Sequence, residues 1–289
     1  MKHAIPPITM ALCLAVVSPL AWGQAPPSKL NCDQPWYVAN GLVPYCEMRG
    51  LSIPVGTSLA IRVRGSGSIT VESWTGPDVL VRAQVETAAE NEALAQGVAA
   101  QVIVDISAGN ILGSGPATNT DQNWALNLEV FVPQALALNL TTLNGNLSVV
   151  GIPGPVQLQS TNGNISTTNV PGAIQFKSTN GNVSLVGVTG DVNGQAVNGN
   201  IRLRVGGEHW LGQTIDVKDV NGSIELDVPH DCSAHVELST VLGVIRTNFL
   251  VPYWGKRGLG QTVTFDVGSG GPLLRASVVT GSILLLRLN

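Results

Sequence analysis

The dipeptide Asn-Gly occurs at Asn144, Asn162, Asn180 and Asn198, so three successive intervals are each 18 residues. A chain gains from such a spacing only if it brings equivalent residues to equivalent places, which restricts it to a repeat architecture. A second Gly follows each of the first three Asn residues ten positions later, at Gly154, Gly172 and Gly190. Between these points apolar residues alternate with Ser, Thr, Asn or Gln, the period-two signature of strands. Leu147, Ile165, Val183 and Ile201 stand three residues after each Asn, and Val149, Thr167, Leu185 and Leu203 stand two further on. In the other half of the unit Val156, Ile174 and Val192 are equivalent, followed by Leu158, Phe176 and Gly194. The intervening Gln157, Gln159, Gln175 and Lys177 suit water.

Asn-Gly is a strong hairpin signal because both residues tolerate positive φ, so an antiparallel meander could use it. A meander gains nothing from identical residues at alternate turns. A solenoid stacks them about 4.8 Å apart, where Asn side chains form a hydrogen-bonded ladder. The expected fold is therefore all-β, a single parallel β-solenoid with coils of 18 residues. Its turn ladder comprises Asn144, Gly145, Asn162, Gly163, Asn180, Gly181, Asn198, Gly199, Asn221 and Gly222. Each coil traces a perimeter of about 60 Å, which leaves a narrow interior for Ile, Val and Leu and no ligand cavity. "VNGSIELDVP" from Val220 repeats the turn after 23 residues, the extra length falling around "GGEHWLGQ". "TVLGVIRTN" and "VVTGSILLLRLN" keep the pattern with Leu242 and Thr280 in place of Asn, and "GSGSITVESWTGPDVLVRAQVE" has the same alternation upstream. The solenoid is expected over residues 57–289. Thr87 and Glu90 make a capping-box spacing that predicts a short helix over 88–99. That helix and the segment 24–56 are the expected N-terminal cap of an otherwise open stack.

Lys2, an apolar run from Ile8 to Leu20, and Ala21 and Gly23 in "AWGQAPP" form the pattern of a cleaved secretory signal over residues 1–23. The apolar run is shorter than the ~20 residues of a membrane span, and Cys13 lies too deep in it, after Leu12, to be a lipid-attachment site. The most apolar later segment, "ALNLEVFVPQALALNL", is interrupted by Glu129, Pro133 and Gln134, so no transmembrane span is expected after cleavage. Loss of Lys2 would move the formal charge from -4 to -5. Charged residues are 12% of the chain, well below the usual ~25%, and no basic patch suggests a nucleic-acid partner. In an oxidising compartment Cys32 and Cys46 are expected to form a disulfide, which leaves Cys232 as a small buried residue.

The units "TTLNGNLSVVG", "STNGNISTTNVPG", "STNGNVSLVGVTG", "AVNGNIRL" and "DVNGSIELDVP" resemble those of a bacterial putative-adhesin family of unknown function. Its domain is a β-solenoid of Thr-x-Asn-Gly-x-Ile repeats. "CEMRG", with Cys46, Glu47 and Arg49, resembles the "CE-x-RE" element that precedes the domain in exported members, with Gly50 where those carry an acid. The resemblance implies an architecture and an exported location, and it supplies no catalytic residues.

Other constellations are weak. "HDCSAH" brings His230, Asp231, Cys232 and His235 close in sequence. On a strand His230 and Cys232 share a face and His235 falls on the other, short of the convergent ligands a metal needs. Trp36, Trp74, Trp124, Trp210 and Trp254 are irregularly spaced, and of these Trp210 is the first candidate for a sugar-stacking platform. The Asn-x-Ser/Thr triplets at Asn139, Asn146, Asn164, Asn182 and Asn221 are read as turn chemistry. Across residues 141–200 the only acid is Asp191 and the only base Lys177, so the coils lack the paired groups of a glycan-cleaving centre. The expected function is an exported, non-enzymatic envelope or surface module without cofactor or metal, binding a glycan or protein. The alternatives are a carbohydrate-active enzyme acting near Glu208, His209 and Asp231, and a structural protein pairing through its last strand, "SILLLRLN".

Overall fold

A computed structural model describes residues 25–33, 41–107, 109–133, 136–207, 210–251 and 260–288. The expected signal over 1–23, Trp36, Glu208, His209 and Trp254 lie outside the described residues. Among those described, the chain first forms β1 (Val43–Ile53), β2 (Ser58–Ser66), β3 (Ile69–Ser73), β4 (Val79–Ala89), α1 (Glu92–Gln101), β5 (Ile103–Ser107), β6 (Asn110–Ser114) and β7 (Gln122–Val132). The regular repeat follows as β8 (Ala137–Asn144), β9 (Leu147–Val150), β10 (Val156–Asn162), β11 (Ile165–Thr168), β12 (Ile174–Asn180), β13 (Val183–Val188), β14 (Val192–Asn198) and β15 (Ile201–Val205). Then come β16 (Thr214–Asn221), β17 (Ile224–Val228), β18 (Ala234–Leu242), β19 (Ile245–Thr247), β20 (Gln261–Val267), β21 (Leu273–Thr280) and β22 (Ile283–Arg287).

Each repeat contributes one longer and one shorter strand, joined at the Asn-Gly corner. The long strands β8, β10, β12, β14 and β16 pair in parallel, as do the short strands β9, β11, β13, β15 and β17. The register reproduces the repeat, with Asn162 between Asn144 and Asn180 and Ile165 between Leu147 and Val183. Inward residues alternate with outward ones, and Leu140, Leu158, Phe176, Leu147, Ile165 and Leu203 are among the buried core. Phe176 faces Gly194 in the next rung, where an added Cβ would meet the ring at 2.2 Å. The large side chain thus occupies the space that the glycine leaves, so the two positions are coupled in volume.

Three sets of hydrogen bonds tie successive corners together. Asn162 Nδ2 donates to Asn144 Oδ1 at 2.7 Å, and Asn180, Asn198 and Asn221 continue the ladder at 2.8, 2.9 and 3.0 Å. The second Asn of each turn forms another: Asn146 Oδ1 accepts from the Asn164 N–H at 2.9 Å, and Asn164, Asn182 and Asn200 do the same for the rung above them. Backbone bonds such as Gly145 N–H to Asn162 O at 2.8 Å make the third set. Gly163 has φ +150°, and a Cβ there would lie 2.0 Å from the Gly145 carbonyl oxygen. The corner therefore excludes a side chain by backbone contact as well as by conformation.

The ends depart from the expected sequential parallel stack. β2 lies between β6 and β8, and β3 between β7 and β9. Correspondingly β21 lies between β16 and β18, and β22 between β17 and β19. At each end one rung is thus inserted one place in from the outermost rung. The stack is finished by antiparallel strands: β5 on β6, β4 on β7 with β1 beyond it, and β20 on β18. The sheet is consequently mixed, which corrects the purely parallel expectation. A parallel partner needs a long crossover, whereas the short link from β5 to β6 permits only an antiparallel return. β22, the strand through which a structural protein was expected to pair, is itself paired with β17 along its length and with β19 at Ile283–Leu285.

The helix begins later than its sequence suggests. Ala88 and Ala89 continue β4 in register with both β1 and β7, and Asn91 is the N-cap, its side chain accepting from the Leu94 N–H at 3.0 Å. Thr87 is buried and donates to the Ala95 carbonyl at 2.8 Å, so it supports the helix from beneath instead of capping it. Arg49 donates to the carbonyls of Ala99 and Val102 at 2.8 and 2.5 Å and so caps the helix C-terminus, while Glu47 accepts from its Nε at 2.7 Å. Much of the segment expected as loop is the strand β1. Cys46 is disulfide-bonded to Cys32, with Cα atoms 5.6 Å apart. The segment carrying Cys32 is also held by Glu129, which is 1% exposed and accepts from Ser28 Oγ and Lys29 N–H at 2.9 and 3.0 Å.

One core position conflicts with its surroundings. The inward column at the corner runs Thr142, Ser160, Ser178, Ala196, Asp219. Asp219 is 3% exposed, and neither carboxylate oxygen has a well-formed hydrogen bond among the described residues. Burial pushes its pKa up from 3.8 to about 6, with the nearby Val220 and Asn221 backbone groups offsetting only part of the effect.

Three outcomes follow, the first two at the glycines. Gly163→Val should lower unfolding free energy by at least about 1 to 3 kcal/mol. Gly97→Ala, in the exposed part of α1 with no atom within 4 Å of the new Cβ, should raise it by about 1 kcal/mol. Both are measurable by urea unfolding, and an unchanged Gly163→Val midpoint would contradict the corner geometry. Because the folded-state pKa of Asp219 is raised, folding retains its proton more tightly than the unfolded chain does. Stability from this residue is full below pH ~4 and is lost as pH rises toward 6, by on the order of 3 kcal/mol. Asp219→Ala should therefore stabilise at pH 8 by more than at pH 4; an equal gain at both values would exclude this origin.

Candidate functional site

The outward side chains of the long strands form two columns that cross the rungs. One contains Asn139, Gln157, Gln175 and Asn193 in direct register, continuing to Asp216, Arg275 and Glu237. The other begins with Arg62 on β2 and continues through Thr141, Gln159, Lys177, Gln195 and Lys218. Three adjoining depressions of about 260, 270 and 320 Å³ lie on this face, and Asn139 lines all three. Arg62 and Lys177 line the first, and Arg62 and Arg64 the second.

The amides of this face differ from those of the corner. Corner Asn side chains are occupied by the rung above or below. The side chains of Asn139, Gln157, Gln159, Gln175, Asn193 and Gln195 make no hydrogen bond to the described residues. They keep both donors and acceptors available to water or a ligand.

Charge divides the face along its length. Toward β20 it is paired: Arg275 bonds Glu237 at 2.7 Å and lies 3.8 Å from Asp216, which also has Lys218 at 3.5 Å. His235 contacts Asp266 at 2.7 Å and Glu237 at 3.7 Å. The hydrogen bond from Arg275 holds the Glu237 carboxyl below its ordinary range. Toward β2, Arg62, Arg64 and Lys177 have no acid within ion-pair distance among the described residues. The short-strand face is different again, with Ser148, Ser166 and Ser184 in one column followed by Arg202, which pairs with Glu225 and Asp227 at 3.2 and 3.5 Å.

Most residues singled out from sequence for chemistry do not converge. His230 pairs with its neighbour Asp231 at 2.8 Å, Cys232 is buried with its thiol pKa pushed up, and His235 faces Asp266. No metal-binding cluster occurs among the described residues. Trp210 is 8% exposed, its Nε1 donating to Gly190 O at 3.2 Å, so it packs under the long unit and offers no stacking platform. Trp124 and Trp74 are likewise committed, to the carbonyls of Pro116 and Asp78 at 2.8 and 2.9 Å. Sequence reasoning passed over Arg62 and Arg64, whose place beside the repeat depends on the insertion of β2. Their alternation with Ile61 and Val63 marked them as outward, and nothing local marked which rung they would join.

No helix among the described residues is long and apolar enough to cross a membrane. No protein of curated function matches the sequence. Among solved structures, a putative adhesin of Bacteroides fragilis aligns with 84% of this chain and 97% of its own at 11% identity and a TM-score of 0.47. A putative cell adhesion protein of Clostridium sporogenes aligns with 85% of this chain and 100% of its own at 9% identity, TM-score 0.32. A putative lipid binding protein of Parabacteroides distasonis aligns with 84% and 97% at 9% identity, TM-score 0.33. The family described as Toastrack DUF4097 matches residues 51–253, well over half of the sequence, and the chain belongs to that family.

Proposed function

We propose that this protein is an exported, non-enzymatic interaction module of the cell envelope or surface, and that it binds an extended glycan or protein segment on its long-strand face. The observation that carries this reading is the column of amides at Asn139, Gln157, Gln175 and Asn193, with Gln159 and Gln195 in the column beside it, none of them hydrogen-bonded to the described residues and set over adjoining depressions. A periodic, flat array of donors and acceptors suits a polymer of repeating units, because each neutral hydrogen bond is worth only about 0.5 to 1.5 kcal/mol and many must act together. The leader pattern supports export, and the Cys32–Cys46 disulfide suits an oxidising compartment. Glycan cleavage would call for a carboxylic acid held protonated near neutrality beside a second carboxylate. Glu237 has the opposite environment, since Arg275 keeps it ionised.

A glycan array probed with the secreted chain should return extended polysaccharides. Gln157→Ala combined with Gln175→Ala should weaken that binding about tenfold, while Thr168→Ala on the opposite face leaves it unchanged. Absence of any ligand, or binding indifferent to the paired Gln substitutions, would remove the long-strand face as the site. Release of new reducing ends from a bound polysaccharide would reassign the protein as an enzyme.

A further inference from the structure

We propose that the ligand is a linear acidic glycan, whose carboxylate or sulfate groups are met by Arg62, Arg64 and Lys177. The inference rests on the long-strand face being the binding surface and names the chemistry that face selects. The chain is acidic overall, with a formal charge of -4, yet the depressions at the β2 end hold three cations that no described acid neutralises. Several other basic residues are engaged, Arg49 with Glu47, Arg82 with Glu129, Arg202 with Glu225 and Arg275 with Glu237. Arg204 and Arg246 on the short strands also lack an ion pair among the described residues but have no array of amides beside them. An unpaired cation amid unbonded amides is unused by the fold.

The geometry suits an elongated anion. Arg62 and Lys177 share a column three rungs apart, a separation of about 14 Å, with Thr141 and Gln159 between them. Arg64 stands two residues beyond Arg62 on the same face of β2. A polymer lying across the rungs would meet a charge, then a hydroxyl and an amide, then a charge. Guanidinium forks match carboxylate and sulfate oxygens in two parallel hydrogen bonds, while the face amides serve hydroxyls. Asp105 lines the depression that holds Arg62 and Arg64 and bounds the cationic region on that side. Nucleic acid is disfavoured because single-stranded binding uses exposed aromatic platforms, and the one aromatic lining these depressions, Phe176, is 2% exposed.

The test is titration of the full secreted chain with polygalacturonate, using neutral dextran and duplex DNA as comparators. Polygalacturonate should bind, and binding should weaken as salt rises from about 0.05 to 0.5 M. Arg62→Ala and Lys177→Ala should each weaken it about tenfold. Arg204→Ala, a cation on the short-strand face, should change it little. Far-ultraviolet circular dichroism and the urea midpoint of each variant show that the fold is retained. Failure to bind polygalacturonate, or binding unaffected by Arg62→Ala and Lys177→Ala, would overturn the inference, as would equal affinity for duplex DNA. Dextran binding that depends on Gln157 and Gln175 alone would overturn it while leaving the broader reading of the face intact.

Discussion

The stack depends on how closely its corners approach. At Gly145, Gly163, Gly181 and Gly199 the backbone adopts φ between +144° and +158°, with the neighbouring rung's carbonyl where a Cβ would project. Only glycine permits this contact, and the contact sets a vertical alignment. Once corners are superimposed, the Asn residues beside them must lie in hydrogen-bonding range, and the inward Leu, Ile and Val columns must meet their counterparts. The amide ladders are therefore consequences of the glycine corner as much as reinforcements of it.

That arrangement separates two uses of the same side chain. Amides at the corners bond between rungs, so they serve the fold. Amides on the long strands stand perpendicular to the sheet, where the rung above offers only another outward side chain, and their hydrogen-bonding capacity remains unspent. Ion pairing divides the face further. Near β21 the alternation of Asp216, Arg275 and Glu237 neutralises itself across adjacent rungs, whereas Arg62 meets Thr141 in its neighbouring rung and has no ion pair among the described residues.

Much of this was legible in the repeat. The 18-residue interval implies the coil, the alternation implies inward and outward sides, and the Asn-Gly corner implies the first ladder. The second ladder, through Asn146, Asn164, Asn182 and Asn200, is equally periodic, but its first three members fall in Asn-x-Ser/Thr triplets that read as turn chemistry alone. Thr87 illustrates a different limit. Its spacing to Glu90 is that of a capping box, yet β1 and β7 hold the same segment as a strand on both edges, and tertiary pairing overrides the local preference. Asp219 is a third case, since the column that holds Ser178 and Ala196 accepts it only with its carboxylate buried.

By itself the sequence determined the period, the corner, the direction of each side chain and the parallel pairing within the repeat. These follow from steric rules acting over a few residues. Only the tertiary structure decided the order of the rungs at the ends, the antiparallel closure, and the meeting of Arg62 with the column that carries Lys177. The physical reason is that strand edges carry the same backbone groups whatever their sequence. Which edge joins which is settled by closing the ends of the stack, and that choice placed a strand from early in the chain beside the regular coils and created the candidate site.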